Sequence, residues 1–220
     1  MSAKKKQSFF VCFWRRLMDI LLSLVLGALL LPPSILVLVL VCIRSPGNPF
    51  YLQKRVGRGG KTIHIVKFRT MKRGVTLTDE QQVAYRLEYK LDDDPRLIGY
   101  RKKGDGKRCF GAMLRRTSLD ELPQLYVNVL ILGNMSLVGP RPILAEELAG
   151  NYTPEEQEIL LSVKPGVTGY WQAYGRGRAL YKNGERQKME LYYVTHQSFS
   201  LDVKIIFRTV FAVISKAGAK

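Results

Sequence analysis

The sequence predicts an α+β fold, mainly helical with a small β-hairpin, carried on an N-terminal re-entrant membrane helix and amphipathic interfacial helices. Three observations predict it. Residues 20–43, ILLSLVLGALLLPPSILVLVLVCI, carry no charge and are long enough for a hydrocarbon core of ~30 Å. YLQKRVGRGGKTIHIVKF, residues 51–68, reads as two strands around a glycine-rich turn. From Leu201 to Lys216, apolar Leu201, Ile205, Phe207, Phe211 and Ile214 alternate with charged Asp202, Lys204, Arg208 and Lys216. That pattern fits an amphipathic helix meeting anionic headgroups, and it fits a core-packing helix equally well.

The apolar segment is too long for a secretory signal, and no small-residue cleavage site follows it. It is read as a retained anchor. Pro32 and Pro33 fall at its middle, where each removes a backbone hydrogen bond and crowds the preceding turn. Lys4, Lys5, Lys6, Arg15 and Arg16 precede the segment, and Arg44, Lys54, Arg55 and Arg58 follow it. Positive charge at both ends places both on the cytoplasmic side. A helix that bends at Pro32 and Pro33 and returns through one leaflet meets both conditions; a kinked transmembrane helix is the alternative. The carbonyls freed by the prolines need partners, and the Ser34 hydroxyl is a candidate. The expected division is an anchor over residues 1–45 and the domain it carries over 46–220.

SPGNPF makes a turn-rich connector into the hairpin, whose turn is Gly57-Arg58-Gly59-Gly60. His64 lies between Ile63 and Ile65 and reads as a plain strand residue. A helix over 78–91 can be capped by Thr78 and ends at Asp92-Asp93-Asp94-Pro95, and 99–108 form an exposed loop. A helix near 119–132 leads to the loop GNMSLVGPRP. Thr153-Pro154-Glu155-Glu156 is a capping box with proline at the first helical position. KPGVTGYWQAYGRGR is irregular, and a last helical region over 185–215 breaks near Ser198.

Lysine and arginine number 35 against 18 acidic residues, a net charge of +17 that calls for anionic partners. No helix-turn-helix, finger or RNA-binding signature accompanies it, so nucleic acid is not the expected partner. Three scattered cysteines make neither a disulfide framework nor a zinc site, and only two histidines are present.

Chemistry concentrates in LRRTSLDELPQL. Asp120 and Glu121 are adjacent, Arg115 and Arg116 lie just upstream, and Pro123 fits only near a helix start. An ionised aspartate there can attack phosphorus, its neighbour can hold a metal ion on substrate phosphates, and arginine can neutralise the transferring group. Ser118-x-x-Glu121 is also an ordinary capping box, which would make the acids merely structural. Further bases sit in glycine- and proline-framed segments: Lys67 and Arg69 in KFRTM, Arg141 between two prolines, Lys164 and Arg176 among glycines. Such frames allow backbone to approach phosphate closely. Trp171 and Tyr174 could stack on a nucleobase or serve as core aromatics. A non-catalytic protein that binds anionic lipid through its charge is the rival explanation.

KFRTM (67–71), LRRTSLDELPQL (114–125), GNMSLVGPRP (133–142), KPGVTGYWQ (164–172) and YYV followed by SFSLDVKII (192–206) together resemble the bacterial sugar transferase family. These are the monotopic polyprenyl-phosphate phosphoglycosyl transferases, and the chain is similar to their compact form. The resemblance implies that Asp120 attacks the β-phosphate of a UDP-sugar, releases UMP and passes the phosphosugar to undecaprenyl phosphate. This starts a surface glycan on the cytoplasmic face of the bacterial inner membrane. It implies Mg2+ on Glu121, and phosphates held by Arg115 and Arg141 with Lys67 nearby; Arg69 and Arg176 complete the expected phosphate-binding set. It also implies a re-entrant anchor. Some members have serine directly before the anchor proline, where this chain has Leu31; Ser34 follows Pro33 instead. Glu190 or Leu191 stands where some members have aspartate, and Glu190 is the candidate substitute. A homodimer stays open on symmetry grounds.

Overall fold

The computed structural model describes residues 9–88, 93–106, 108–175 and 183–214. Helix α1 (Phe9–Arg44) runs through Pro32 and Pro33, and its 36 residues correspond to about 54 Å. Its apolar side chains are largely uncovered: Leu24, Val25, Leu29, Leu31, Ile35, Leu36 and Ile43 are all exposed. The stretch Cys12–Arg44 is long and apolar enough to cross a membrane.

The anchor is nonetheless stitched to the rest of the chain along its length. Near its start, Arg16 donates to the carbonyls of Val129 (2.5 Å) and Leu130 (3.0 Å). Buried Asp19 accepts from the Ser136 hydroxyl and the Leu137 N–H, both at 2.8 Å. Near its end, Val37 and Val41 share a core with Phe68, Ile98, Phe110 and Leu114.

Strands β1 (Phe50–Val56) and β2 (Thr62–Phe68) form the expected hairpin, pairing Phe50 with Phe68 and Val56 with Thr62. Alternation buries Ile63 and Ile65 and leaves His64 exposed. Helix α2 (Asp79–Glu88) starts at the expected cap: the Gln81 N–H reaches Thr78 Oγ1 and the Thr78 N–H reaches Gln81 Oε1. Helix α3 (Phe110–Thr117) has no counterpart in the sequence-based expectation.

The expected helix over 119–132 is three structures in series. A 3-10 turn (Leu119–Glu121) passes into a single α-turn, α4 (Leu122–Gln124), and then a π-helix (Leu125–Ile131). Pro123 has no N–H to donate to Leu119, so the Leu122 N–H takes that carbonyl in an i to i−3 bond. In the π stretch the Leu132 N–H reaches back five residues to the Val127 carbonyl. Asn128, fully buried, bonds the Val66 N–H, the His64 carbonyl and the Asn134 side chain, fastening this segment to β2.

The two glycine-framed segments expected to be irregular also contain a parallel pair, β3 (Ser136–Val138) with β4 (Gly166–Thr168). Glycine is required at this junction, because a Cβ on Gly166 would collide with the backbone of Gly139. Helices α5 (Ala145–Asn151) and α6 (Pro154–Leu160) bury Leu148 and Leu160 in one core with Ile143 and Tyr152, whereas α7 (Tyr170–Tyr174) packs Ala173 in a separate core with Val138 of β3; α6 has the expected Thr153/Glu156 box. Helices α8 (Glu185–Thr195) and α9 (Phe199–Ile214) are separated at 196–198, the expected break. In α9, Ile205 is fully buried while Phe207 and Phe211 are exposed. Residues two apart on a helix point to nearly opposite sides, so α9 packs inward and also presents apolar side chains outward.

Candidate active site

The hairpin presents one face to the site. Cross-strand pairing puts Tyr51, Gln53 and Arg55 on the same face as Lys67, Ile65 and Ile63. Lys67 lies at the end of this face, and its Nζ meets Glu121 Oε1 at 2.6 Å. Arg55 is buried on the same face, 2.8 Å from Gln53 Oε1 and 3.8 Å from a Glu147 carboxylate oxygen. Burial holds its pKa below the ordinary arginine value; Glu147 and Glu121 oppose the shift, and Arg141 adds to it.

No capping box holds Asp120 and Glu121, although Glu121 stands at the N-cap position of α4. Ser118 is the C-cap of α3 in the left-handed region (φ 59°), and its side chain makes no capping bond. The Thr117 hydroxyl turns back to the Met113 carbonyl at 2.8 Å. The capping-box explanation of Ser118-x-x-Glu121 is therefore excluded by local geometry. The left-handed residue breaks the chain direction after α3 and starts a tight turn that sets the two acids between α3 and β2.

Asp120 is buried, with 7% of its surface exposed. Burial, then the neighbouring Glu121, push its carboxyl up to about 6, while Lys67 and Arg115 pull it down. Arg115 is oriented by a 2.9 Å bond from Nε to Thr70 Oγ1. A buried acid that titrates close to neutral pH, with two cations facing it, has the character of a nucleophile or a proton-transfer group.

Arg141 and Glu190 form the other wall. The Glu190 carboxylate is buried; Oε2 accepts the Arg141 N–H at 3.1 Å, and Oε1 has no hydrogen-bond partner among the described residues. Burial pushes this carboxyl up to about 7, against the pull of Arg186 and Arg141. Trp171 is buried with the guanidinium of Arg186 at 4.2 Å and that of Arg141 at 5.5 Å from its ring centre. Tyr174 stacks on Tyr170 at 4.6 Å beneath Arg208. Both rings thus have protein partners on at least one face.

Of the residues expected from sequence, Asp120, Glu121, Lys67 and Arg115 come together. Arg141 joins them through the Arg55 side of the site. Arg69 points elsewhere: it is buried, and its Nη2 donates to the carbonyls of Ser45 and Pro46, bracing the connector that follows α1. Lys164 faces Arg16 and Asp19 at the start of α1. Arg176 lies outside the described residues. Sequence reasoning missed Arg55, Asn128 and Tyr126. Strand parity with Lys67 was the signal for Arg55; nothing local marks Asn128 or Tyr126.

Ser34 does not take the expected role of partnering a carbonyl freed by the prolines. Its hydroxyl donates to the Leu30 carbonyl at 2.6 Å, one residue beyond Ala28 and Leu29, whose helical donors Pro32 and Pro33 lack. It also lies 3.3 Å from the Tyr126 hydroxyl.

Among the described residues no three His, Cys, Asp or Glu side chains are grouped to hold a metal. The pair Asp120 and Glu121 still suits a magnesium ion, which commonly uses one or two carboxylates together with substrate phosphates. The Glu121 side chain keeps 31% of its surface open.

The family model described as bacterial sugar transferase matches residues 10–216. The exopolysaccharide production protein ExoY of Sinorhizobium fredii is 36% identical over 213 residues, 93% of this chain and 87% of that protein. The undecaprenyl-phosphate galactose phosphotransferase of Salmonella typhimurium is 34% identical over 94% of this chain. The UDP-glucose:undecaprenyl-phosphate glucose-1-phosphate transferase of Escherichia coli is 36% identical over 93% of it. The matched region is 42% and 41% of the length of these last two relatives.

Proposed function

This chain belongs to the bacterial sugar transferase family, and from that premise we propose that it moves a sugar-1-phosphate from a UDP-sugar to undecaprenyl phosphate, releasing UMP and starting a surface glycan. The observation that carries this is buried Asp120 beside Glu121, faced by Lys67 and Arg115. An oxygen of ionised Asp120 attacks the β-phosphorus of the donor. The bond from that phosphorus to the bridging oxygen breaks, and UMP leaves with the oxygen. The sugar phosphate is then an acyl phosphate on Asp120. A phosphate oxygen of undecaprenyl phosphate attacks the same phosphorus, and the Asp120 carboxylate is released unchanged. Arg115, Lys67, Arg55 and Arg141 supply positive charge where the phosphates sit. Glu121, with Asp120 adjacent, would hold Mg2+, which neutralises charge on the donor diphosphate.

The same proposal places the domain on the cytoplasmic face, with α1 re-entrant. Support comes from contacts at three points along α1: Arg16 and Asp19 near its start, Gly27 and Ser34 in its middle, Val41 near its end. A helix that spanned the bilayer with these contacts intact would draw the charged domain into hydrocarbon, which is far too costly.

The test is UMP release by the full chain in a native-like bilayer with Mg2+, undecaprenyl phosphate and a panel of UDP-sugars. Release with one donor, lost in Asp120→Asn, supports the proposal and names the sugar. Trapping of a phosphosugar on Asp120 supports the two-step route; transfer that survives Asp120→Asn overturns it. No release with any donor, from folded protein, favours the lipid-binding rival.

A further inference from the structure

The loop that precedes α3 carries a concentration of charge that the transfer chemistry does not use. Arg101, Lys102, Lys103 and Arg108 are all exposed. Their backbone is held by two aspartates. Asp93 accepts the N–H groups of Gly104 (2.8 Å) and Gly106 (2.9 Å), and the Tyr100 hydroxyl as well. Asp105 accepts the N–H groups of Arg101 (3.1 Å) and Lys102 (2.9 Å). The Lys72 ammonium fastens the start of the loop through the Tyr100 carbonyl at 2.7 Å. Among the described residues, four cations are therefore presented from a backbone held by hydrogen bonds.

The position of this loop gives the charge a direction. Arg108 is two residues from Phe110, whose ring lies 4.6 Å beneath the guanidinium of Arg44, the last residue of α1. Ile98 and Phe110, on either side of the loop, share a core with Val37 and Val41. On the last turns of α1, Leu36, Val39 and Ile43 are exposed. An apolar helix face thus leads directly into exposed Arg44, Arg73 and the cationic loop. That succession matches the one from hydrocarbon to headgroup at a membrane surface.

We infer that exposed Arg101, Lys102, Lys103 and Arg108 form a docking surface for anionic phospholipid headgroups beside the exit of α1. It rests on the membrane placement proposed above but is independent of the transfer chemistry. The partner is a lipid surface because the charge adjoins an uncovered apolar helix face. Each basic residue at an anionic surface strengthens attachment roughly fivefold.

The full chain is reconstituted in vesicles of mixed phosphatidylglycerol and phosphatidylcholine, then extracted with its surrounding lipid in polymer discs. The ratio of the two lipids in the discs is measured. The wild type is expected to enrich phosphatidylglycerol. Arg101→Gln/Lys102→Gln/Lys103→Gln is expected to lose most of the enrichment. Lys54→Gln/Arg58→Gln/Lys61→Gln removes the same charge from exposed hairpin positions and is expected to keep it. Asp93→Asn keeps all four cations and adds net positive charge, yet is expected to weaken enrichment because the loop backbone is released. Equal loss in the two triple variants, or stronger enrichment in Asp93→Asn, overturns the inference in favour of bulk charge. Failure of the folded wild type to enter vesicles of either lipid overturns the membrane placement and this inference with it, whereas UMP release in detergent would still stand.

Discussion

Tyr126 donates its hydroxyl proton to the Gly27 carbonyl at 2.9 Å, tying the segment that begins at Asp120 to the membrane helix five residues before Pro32. The ring lies flat enough on α1 that a Cβ at position 27 would come within 3.2 Å of it. One hydroxyl and one missing methyl group thus help to set the height of the candidate active site relative to the anchor.

Tyr126→Phe is expected to lower stability by about 1 kcal/mol, the net worth of one hydrogen bond. Gly27→Val should do more damage, because a branched side chain must displace the ring. Thermal unfolding in lipid discs checks both, with a drop in Tm for each and the larger drop for Gly27→Val.

Asp120→Asn is expected to raise stability while it removes transfer. The carboxyl takes up a proton at about 6 in the fold, against an ordinary value of 3.8. Between these values the folded state holds more protons than the unfolded chain, so the stability contributed by Asp120 is full below about 4 and is lost as pH rises through about 6. Asparagine lacks the charge, so the variant should gain on the order of 3 kcal/mol at neutral pH. Equal unfolding midpoints for wild type and variant at pH 8 would contradict this.

Lys67→Gln is expected to move the acid limb of the pH–rate profile upward. On the proposed route transfer requires ionised Asp120, so the limb should centre near 6, and Lys67 is one of the two cations that hold it that low. Without it the proton is held more tightly and activity falls away at higher pH. UMP release measured from pH 5 to 9 (the ~5–9 window in which such limbs are read) reports the shift; an unmoved limb would mean that Lys67 does not act on Asp120.

Ser118→Gly and Ser118→Ala both delete the hydroxyl, so their difference isolates the backbone. At φ 59° the glycine variant should be more stable than the alanine variant by about 1 kcal/mol. An alanine variant as stable as the glycine variant would contradict the left-handed conformation of residue 118. Denaturant midpoints of the pair decide it.

Glu190→Leu leaves the buried Arg141 N–H without its acceptor and is expected to cost about 1–3 kcal/mol. Glu190→Gln keeps an acceptor. Because burial raises the Glu190 carboxyl to about 7, the wild type should lose stability as pH rises through that value, and the glutamine variant, left with the smaller loss from Asp120, should lose less. Unfolding midpoints at pH 6 and pH 8 (values on either side of about 7) separate the two.

Much of this architecture could be read from local order. The uncharged run with its paired prolines, the alternation of the hairpin, the Thr153 box and the break before Phe199 are short-range patterns, and each reappears in the structure. The adjacency of Asp120 and Glu121 was legible for the same reason. Position 118 was not: serine followed three residues later by glutamate satisfies the capping pattern, and only the preceding helix α3 puts Ser118 in the left-handed region, where it ends α3 and opens the next turn with no side-chain cap.

What the sequence by itself determined is the inventory: an anchor, a hairpin, a pair of acids and an excess of arginines held in glycine and proline frames. The partners were decided by tertiary structure alone. Glu121 meets Lys67, 54 residues away, instead of a nearby backbone N–H. Arg69 and Arg55 lie in the same hairpin region, yet one braces the connector after α1 and the other faces the site. Local propensity depends on neighbours within a few residues, whereas a long charged side chain takes whichever partner packing brings within reach, and packing is set by elements distant in the chain.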